Sequence, residues 1–178
     1  MASGSDINIR MKGIAFTILV VLLLVIPASC KIYSFSGASI SPQVKTISVQ
    51  YFQNRASLVQ PGLSQGLTDA LIDKCKAQTK LSFIKDMGDV NFEGEITDYN
   101  TKPLTVGADA KAAMNRFTIS VKVKFTNAIE PNLSYDKTFS RYQDYDSNKN
   151  LSDVEKTLVE IIVEQLIEDI FNEAFVNW

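Results

Sequence analysis

Cys30 and Cys75 are the only thiols in this chain of 178 residues, and it contains no histidine. Without imidazole, Ser-His-Asp and Cys-His nucleophilic arrangements and most zinc sites are excluded. Cys30 directly follows Pro27-Ala28-Ser29, and a thiolate there can accept a diacylglycerol group as a thioether. Cys75 falls at helical spacing on an apolar side, where a thiol packs as a small hydrophobe. Gly62-Leu63-Ser64-Gln65-Gly66 lacks the lysine and the spacing of a phosphate loop. Glu93 and Glu95 alternate with apolar residues, which reads as the solvated face of a strand rather than a catalytic dyad. Lys122 and Lys124 stand two residues apart, so a strand would turn both ammonium groups to one side. There they form a candidate phosphate-binding pair, or they are ordinary solubilising charges on an exposed sheet face. These residue types argue against an enzyme.

The segment that positions Cys30 has a recognisable order. Arg10 and Lys12 precede an apolar run from Ile14 to Ile26, interrupted by Thr17, and small residues lead into the cysteine. Basic, apolar and small-residue zones in that order are the pattern of a secretory signal peptide. The run is shorter than the roughly 20 residues a helix needs to cross a ~30 Å hydrocarbon core, and Pro27 would end a helix there. Residues 1–29 are therefore expected to be a lipoprotein signal, with Cys30 lipidated as the first mature residue. The junction resembles a bacterial lipobox except that Pro27 stands where leucine is usual. An ordinary cleaved signal with a free cysteine, or an uncleaved anchor, are the alternatives. The start Met11-Lys12-Gly13 is cleaner than Met1, because Asp6 is unusual ahead of an apolar run.

Past the signal, residues 30–42 read as a Ser/Gly-rich tether and residues 43–178 as one domain. Setting aside Arg10, Lys12 and Asp6, 16 basic side chains face 19 acidic ones, from 18 and 20 in the whole chain. That balance argues against nucleic-acid binding. With Cys30 acylated, Cys75 has no partner for an intrachain disulfide. No cofactor is expected beyond the covalent lipid on Cys30, and no metal.

The periodicities predict the elements. Val44 to Phe52 alternates, with Ile47, Val49 and Tyr51 on one side, and reads as a half-buried strand. Pro61 suits the first turn of a helix whose apolar side carries Leu63, Leu67, Ala70, Leu71 and Cys75; Gly66 within it suggests a close helix approach. A short strand is expected from Leu81 to Ile84. Val90 to Tyr99 follows as a strand, with Gly94 leaving a gap for a helix or marking a bulge. Asn100 to Asn115 reads as a long loop around Gly107. The strand from Arg116 to Asn127 places Phe117, Ile119, Val121, Val123 and Phe125 inward, which fixes its register firmly. Leu133 to Tyr142 mixes Tyr135 and Phe139 with Lys137 and Arg141 in one register, a pattern that suits an edge strand. Ser152 and Glu155 have capping-box spacing. The helix they would open carries Val154, Leu158, Ile161, Ile162, Leu166, Ile170, Ala174 and Phe175 on an apolar stripe. Trp178 packs or frays. The expected architecture is α+β: a mainly antiparallel four-stranded sheet with two helices on one face.

Four stretches carry a further likeness: Ile47-Ser48-Val49-Gln50-Tyr51-Phe52, Phe92-Glu93-Gly94-Glu95-Ile96, the strand from Asn115 to Phe125, and Phe139-Ser140-Arg141-Tyr142-Gln143-Asp144-Tyr145-Asp146. Together they resemble LptE, the lipopolysaccharide-assembly lipoprotein family, in its Bacteroidetes form. The resemblance implies a non-enzymatic outer-membrane lipoprotein that plugs an LptD-type β-barrel, aids its assembly and helps lipopolysaccharide reach the cell surface. Its implied partners are the barrel, lipopolysaccharide and the membrane holding the anchor. A generic outer-membrane lipoprotein that binds a lipid or another envelope assembly factor is the alternative. A lipid-anchored enzyme is a third reading, which the missing histidine opposes.

Overall fold

The computed structural model describes residues 40–58, 60–104 and 114–176. The expected signal segment, Cys30, the expected tether as far as residue 39, Gly107 with its alanine neighbours, and Trp178 lie outside these residues. In chain order the elements are β1 (Thr46–Val49), β2 (Gln53–Asn54), helix α1 (Leu63–Gln78), β3 (Ser82–Phe83), β4 (Val90–Leu104), β5 (Met114–Asn127), a 3-10 turn (Pro131–Leu133), β6 (Tyr135–Asp146) and helix α2 (Leu151–Phe175).

Among the described residues the sheet is mixed and has six strands, which corrects the expected four-stranded, mainly antiparallel sheet. Its order is β3-β1-β4-β5-β6, with β2 also paired to β4. β4, β5 and β6 form a long antiparallel meander. β1 runs parallel to both β3 and β4, and β2 runs parallel to β4. The cause is the helix between β1 and β3: a strand–helix–strand crossover returns the chain in its original direction and makes the pair parallel. Two-residue strands such as β2 and β3 are too short to show a period, so no local pattern announces their pairing. The hairpin arms are also longer than expected. β4 runs on to Leu104 and β5 starts at Met114, so much of the expected loop is paired strand, with Pro103 opposite Asn115. A proline is tolerated so near a strand end because few ladder bonds remain to be lost.

β1 stops at Val49, and the inward position passes to Phe52, which is fully buried, while Tyr51 is 54% exposed. Strict alternation would place Tyr51 inward. β1 and β2 act as one strand broken at residues 50–52: Val49 lies opposite Phe92 and Gln53 opposite Glu95, so the broken strand carries one extra residue. That residue reverses the parity and turns the Phe52 ring onto Gly94. Gly94 thus admits an aromatic ring, not a helix. A bulge does occur in β4, but further on, between Ile96 and Asp98.

The link from β3 to β4 crosses β1. At Gly88 a Cβ would stand 2.9 Å from the Ile47 carbonyl carbon, so this crossing needs a residue without a side chain. Asp89 then clasps the start of β1, its carboxylate accepting from Lys45 N–H at 2.8 Å and Thr46 N–H at 2.9 Å.

Both helices cover the face that carries Ile47, Phe92, Ile96 and the five inward residues of β5, all of them 0–1% exposed. Phe171 and Phe175 of α2 carry an aromatic cluster down to Phe92 and Phe125, with ring centroids 5.2–6.0 Å apart. Gly62, at φ 84°, stands just ahead of α1, so Pro61 lies outside the first turn. The expected capping box is absent: Asn150 precedes α2 without a side-chain cap, and Glu155 instead accepts from the Tyr99 hydroxyl at 2.5 Å. Ile161, expected on the buried stripe, is 38% exposed, while Ile167 and Phe171 are buried. No described helix is long and apolar enough to cross a membrane.

Candidate functional site

The face of the sheet turned away from the helices is polar and carries Lys122 and Lys124. Strand geometry sets both ammonium groups on this side, as their spacing implies. The register then decides their neighbours. Lys124 lies between Glu93 of β4 and Asp136 of β6, and Lys122 between Glu95 and Thr138. Lys122 Nζ is 3.4 Å from Asp136 Oδ2, and Lys124 Nζ is 3.7 Å from Glu93 Oε2. Glu95 also meets Arg55 at 4.0 Å. Glu93, Glu95, Lys122, Lys124 and Asp136, with Gly94, line a shallow depression of about 230 Å³. Two ammonium groups here face three carboxylates. A phosphate binding at the lysines must displace exposed ion pairs, each worth about 0–1 kcal/mol.

Further along this face, β5 and β6 place a cluster that single-strand reasoning does not find. Arg116 donates to both carboxylate oxygens of Asp144, at 2.8 and 3.0 Å, and its guanidinium lies 3.6 Å from the centroid of the Tyr142 ring. The fork geometry matches carboxylate, and the planar cation stacks on the aromatic face. The Arg116 hydrogen bond holds the Asp144 carboxyl below its usual range. The signal lies in the register, which sets Arg116 opposite Asp144.

On the opposite side of the sheet, α1 and α2 meet where Lys74 pairs with Glu168, and the Lys74 ammonium sits 5.5 Å from the Phe171 ring centroid. The hydrogen bond from Lys74 holds the Glu168 carboxyl below its usual range. The same two residues line a groove of about 810 Å³ between the helices, whose apolar lining is Leu67, Ala70, Val159, Val163 and Ile167. Gly66 opens into it: a Cβ there meets nothing within 4 Å. This glycine therefore does not mark a close helix approach.

Cys75 is fully buried, and desolvation pushes its thiol up to about 12, so its thiolate is unavailable for chemistry. Among the described residues no group of three or more Cys, Asp or Glu side chains is placed to hold a metal ion. Cys30, the expected lipidation site, lies outside the described residues.

The LptE family model, described as lipopolysaccharide-assembly, matches residues 44–174. Among solved structures, a hypothetical protein from Chlamydia trachomatis is similar at a TM-score of 0.50 and 9% identity, covering 75% of this chain and 99% of that one. A minor lipoprotein from Acinetobacter baumannii is similar at 0.49 and 13% identity, covering 73% and 91%. A protein from Xanthomonas campestris is similar at 0.49 and 9% identity, covering 75% and 87%. No curated protein matches the sequence.

Proposed function

Since the chain belongs to the LptE lipopolysaccharide-assembly family, we propose that it is an outer-membrane lipoprotein of the lipopolysaccharide translocon. In this reading it plugs an LptD-type β-barrel, aids the barrel's assembly and helps lipopolysaccharide pass to the cell surface. The observation that carries the reading is the uncovered polar face of β4, β5 and β6. A plug in a barrel must present hydrogen-bonding groups to a polar lumen. This face does so with Glu93, Glu95, Lys122, Lys124, Arg116 and the Ser120–Ser140 hydroxyl pair, whose oxygens are 2.9 Å apart. Strands of 12 to 15 residues, at about 3.4 Å per residue, extend roughly 40–50 Å, long enough to line much of a barrel wall. The reading assigns no catalysis to the chain.

Two tests bear on it. A photo-crosslinker at Thr118 in cell envelopes is expected to capture a large β-barrel protein; absence of any barrel adduct overturns the plug assignment. Lys122→Glu combined with Lys124→Glu is expected to weaken lipopolysaccharide binding with an unchanged circular dichroism spectrum, and unaltered binding removes these two residues from the site. The apolar groove between α1 and α2 favours a second reading, a lipoprotein that binds a lipid or another envelope assembly factor. Lipid binding by a protein that never meets a barrel would favour it.

A further inference from the structure

Four lysines gather at the β3 edge of the sheet. Lys45 immediately precedes β1, and its carbonyl accepts from Ser82 N–H of β3 at 2.9 Å. Lys80 and Lys85 flank β3 in the chain, and Lys76 Nζ lies 5.5 Å from the ring centroid of Phe83. All four are exposed. Lys74, Lys122, Lys124, Lys137, Arg55, Arg116 and Arg141 each have a carboxylate within 4.0 Å, whereas among the described residues none of these four does; Lys102, Lys149 and Lys156 also lack one but lie apart from this edge in the chain. The acids nearest in the chain are Asp73, Asp86 and Asp89, and the Asp89 carboxylate is taken up by the Lys45 and Thr46 N–H groups. Beside the lysines stand two exposed apolar side chains, Ile84 at 40% and Met87 at 61%. Ile84 is held on this edge by its N–H, which donates to the Ile47 carbonyl at 3.0 Å.

Unpaired ammonium groups around exposed apolar tips have the make-up of an interfacial surface. The charge is drawn to an anionic headgroup layer, and the apolar tips enter it. We propose that this edge docks on the anionic phospholipid surface of the bilayer, with the lysines at lipid phosphates and Ile84 and Met87 among the headgroups. The proposal rests on the lipid-anchor reading in one respect. Ile40 follows Cys30 by ten residue steps, and ten steps reach no further than about 35 Å, so an acylated Cys30 keeps the edge close to a membrane. A lysine near an anionic surface strengthens binding roughly fivefold.

The test is co-sedimentation of the full chain, carrying Cys30→Ala in every arm, with two kinds of vesicle. One kind is pure phosphatidylcholine, and the other is equal parts phosphatidylcholine and phosphatidylglycerol. The neutral vesicles register what the apolar run at residues 14–26 contributes. Replacing Lys45, Lys80 and Lys85 with glutamine is expected to weaken binding to the anionic vesicles at least tenfold and leave the neutral vesicles unaffected. Ile84→Ser with Met87→Ser is expected to weaken the anionic binding as well. Matched circular dichroism spectra confirm that the variants fold. Unchanged anionic binding by the triple variant overturns the proposal. So does an equal loss on both vesicle types. With the anchor removed throughout, native protein found unlipidated would sink the anchor reading and leave this result standing. Crosslinking at Thr118 reports on the barrel separately.

Discussion

Gly94 lies directly beneath Phe52: a Cβ added to it would stand 2.4 Å from Phe52 Cε1 and 2.7 Å from the carbonyl oxygen of Lys122. The ring could tilt away, but the carbonyl belongs to strand β5, which is held between β4 and β6, and cannot. Gly94→Ala is therefore expected to destabilise the domain by about 1–3 kcal/mol, the usual cost of forcing extra volume into a packed core. Urea denaturation measures it. Phe52→Leu in the same background should recover part of the loss, because one of the two clashes is then relieved. Full stability in Gly94→Ala would mean that the ring does not sit there.

Lys137 and Arg141 face the helices from β6, and each finds a carboxylate on α2. Lys137 Nζ meets Glu173 at 2.8 Å, and Arg141 grips both oxygens of Asp169 at 2.5 and 2.6 Å. The carboxylates are one helical turn apart and the cations two strand steps apart, so the two pairs form a rung-by-rung clamp. The Arg141 side chain is 47% exposed, which keeps the pair in the modest range for surface bridges. A double-mutant cycle over Arg141 and Asp169 should return a coupling of about 0.5–1 kcal/mol. Lysine at 141 should recover less than the full value, since it cannot bind both oxygens at once.

Three carboxyls are held below their ordinary range: Asp89 by the N–H groups of Lys45 and Thr46, Asp144 by Arg116, and Glu168 by Lys74. A carboxyl lowered on folding contributes stability above its unfolded value, and that contribution fades as pH falls toward the folded one. The stability curve should thus be flat in these groups near neutrality and decline below about pH 4. Asp89→Asn should make the acid decline shallower, as followed by denaturant midpoints across the range. An unchanged slope would show that the clasp at β1 does not contribute.

Cys75 gives a kinetic readout of the core. Its thiol, pushed up to about 12 by burial, is almost wholly protonated at neutral pH. In a Cys30→Ala chain, a thiol-specific reagent should label Cys75 only as fast as the domain opens, and denaturant should accelerate labelling in step with global unfolding. Prompt labelling of the native protein would contradict the packing of α1 on the sheet.

Much of the candidate site follows from the chain read locally. The five inward side chains from Phe117 to Phe125 define a strand, and that strand alone puts Lys122 and Lys124 on the opposite face. Period two and period 3.6 depend only on a segment's own residues, so β5, α1, α2 and the edge position of β6 are legible in the residue pattern alone. The lysines' surroundings are not: Glu93 arrives from β4 and Asp136 from β6.

By itself, then, the sequence determined the α+β class, the covered and open faces of the sheet, and the lack of imidazole chemistry. Only the tertiary structure decided the parallel pairing of β1 with β3 and β4, the transfer of the inward position from Tyr51 to Phe52, and the partners of Lys137 and Arg141. The reason is physical. Burial preference is a property of each residue in its own repeat, whereas register, parity breaks and ion pairs depend on which distant segment closes against it.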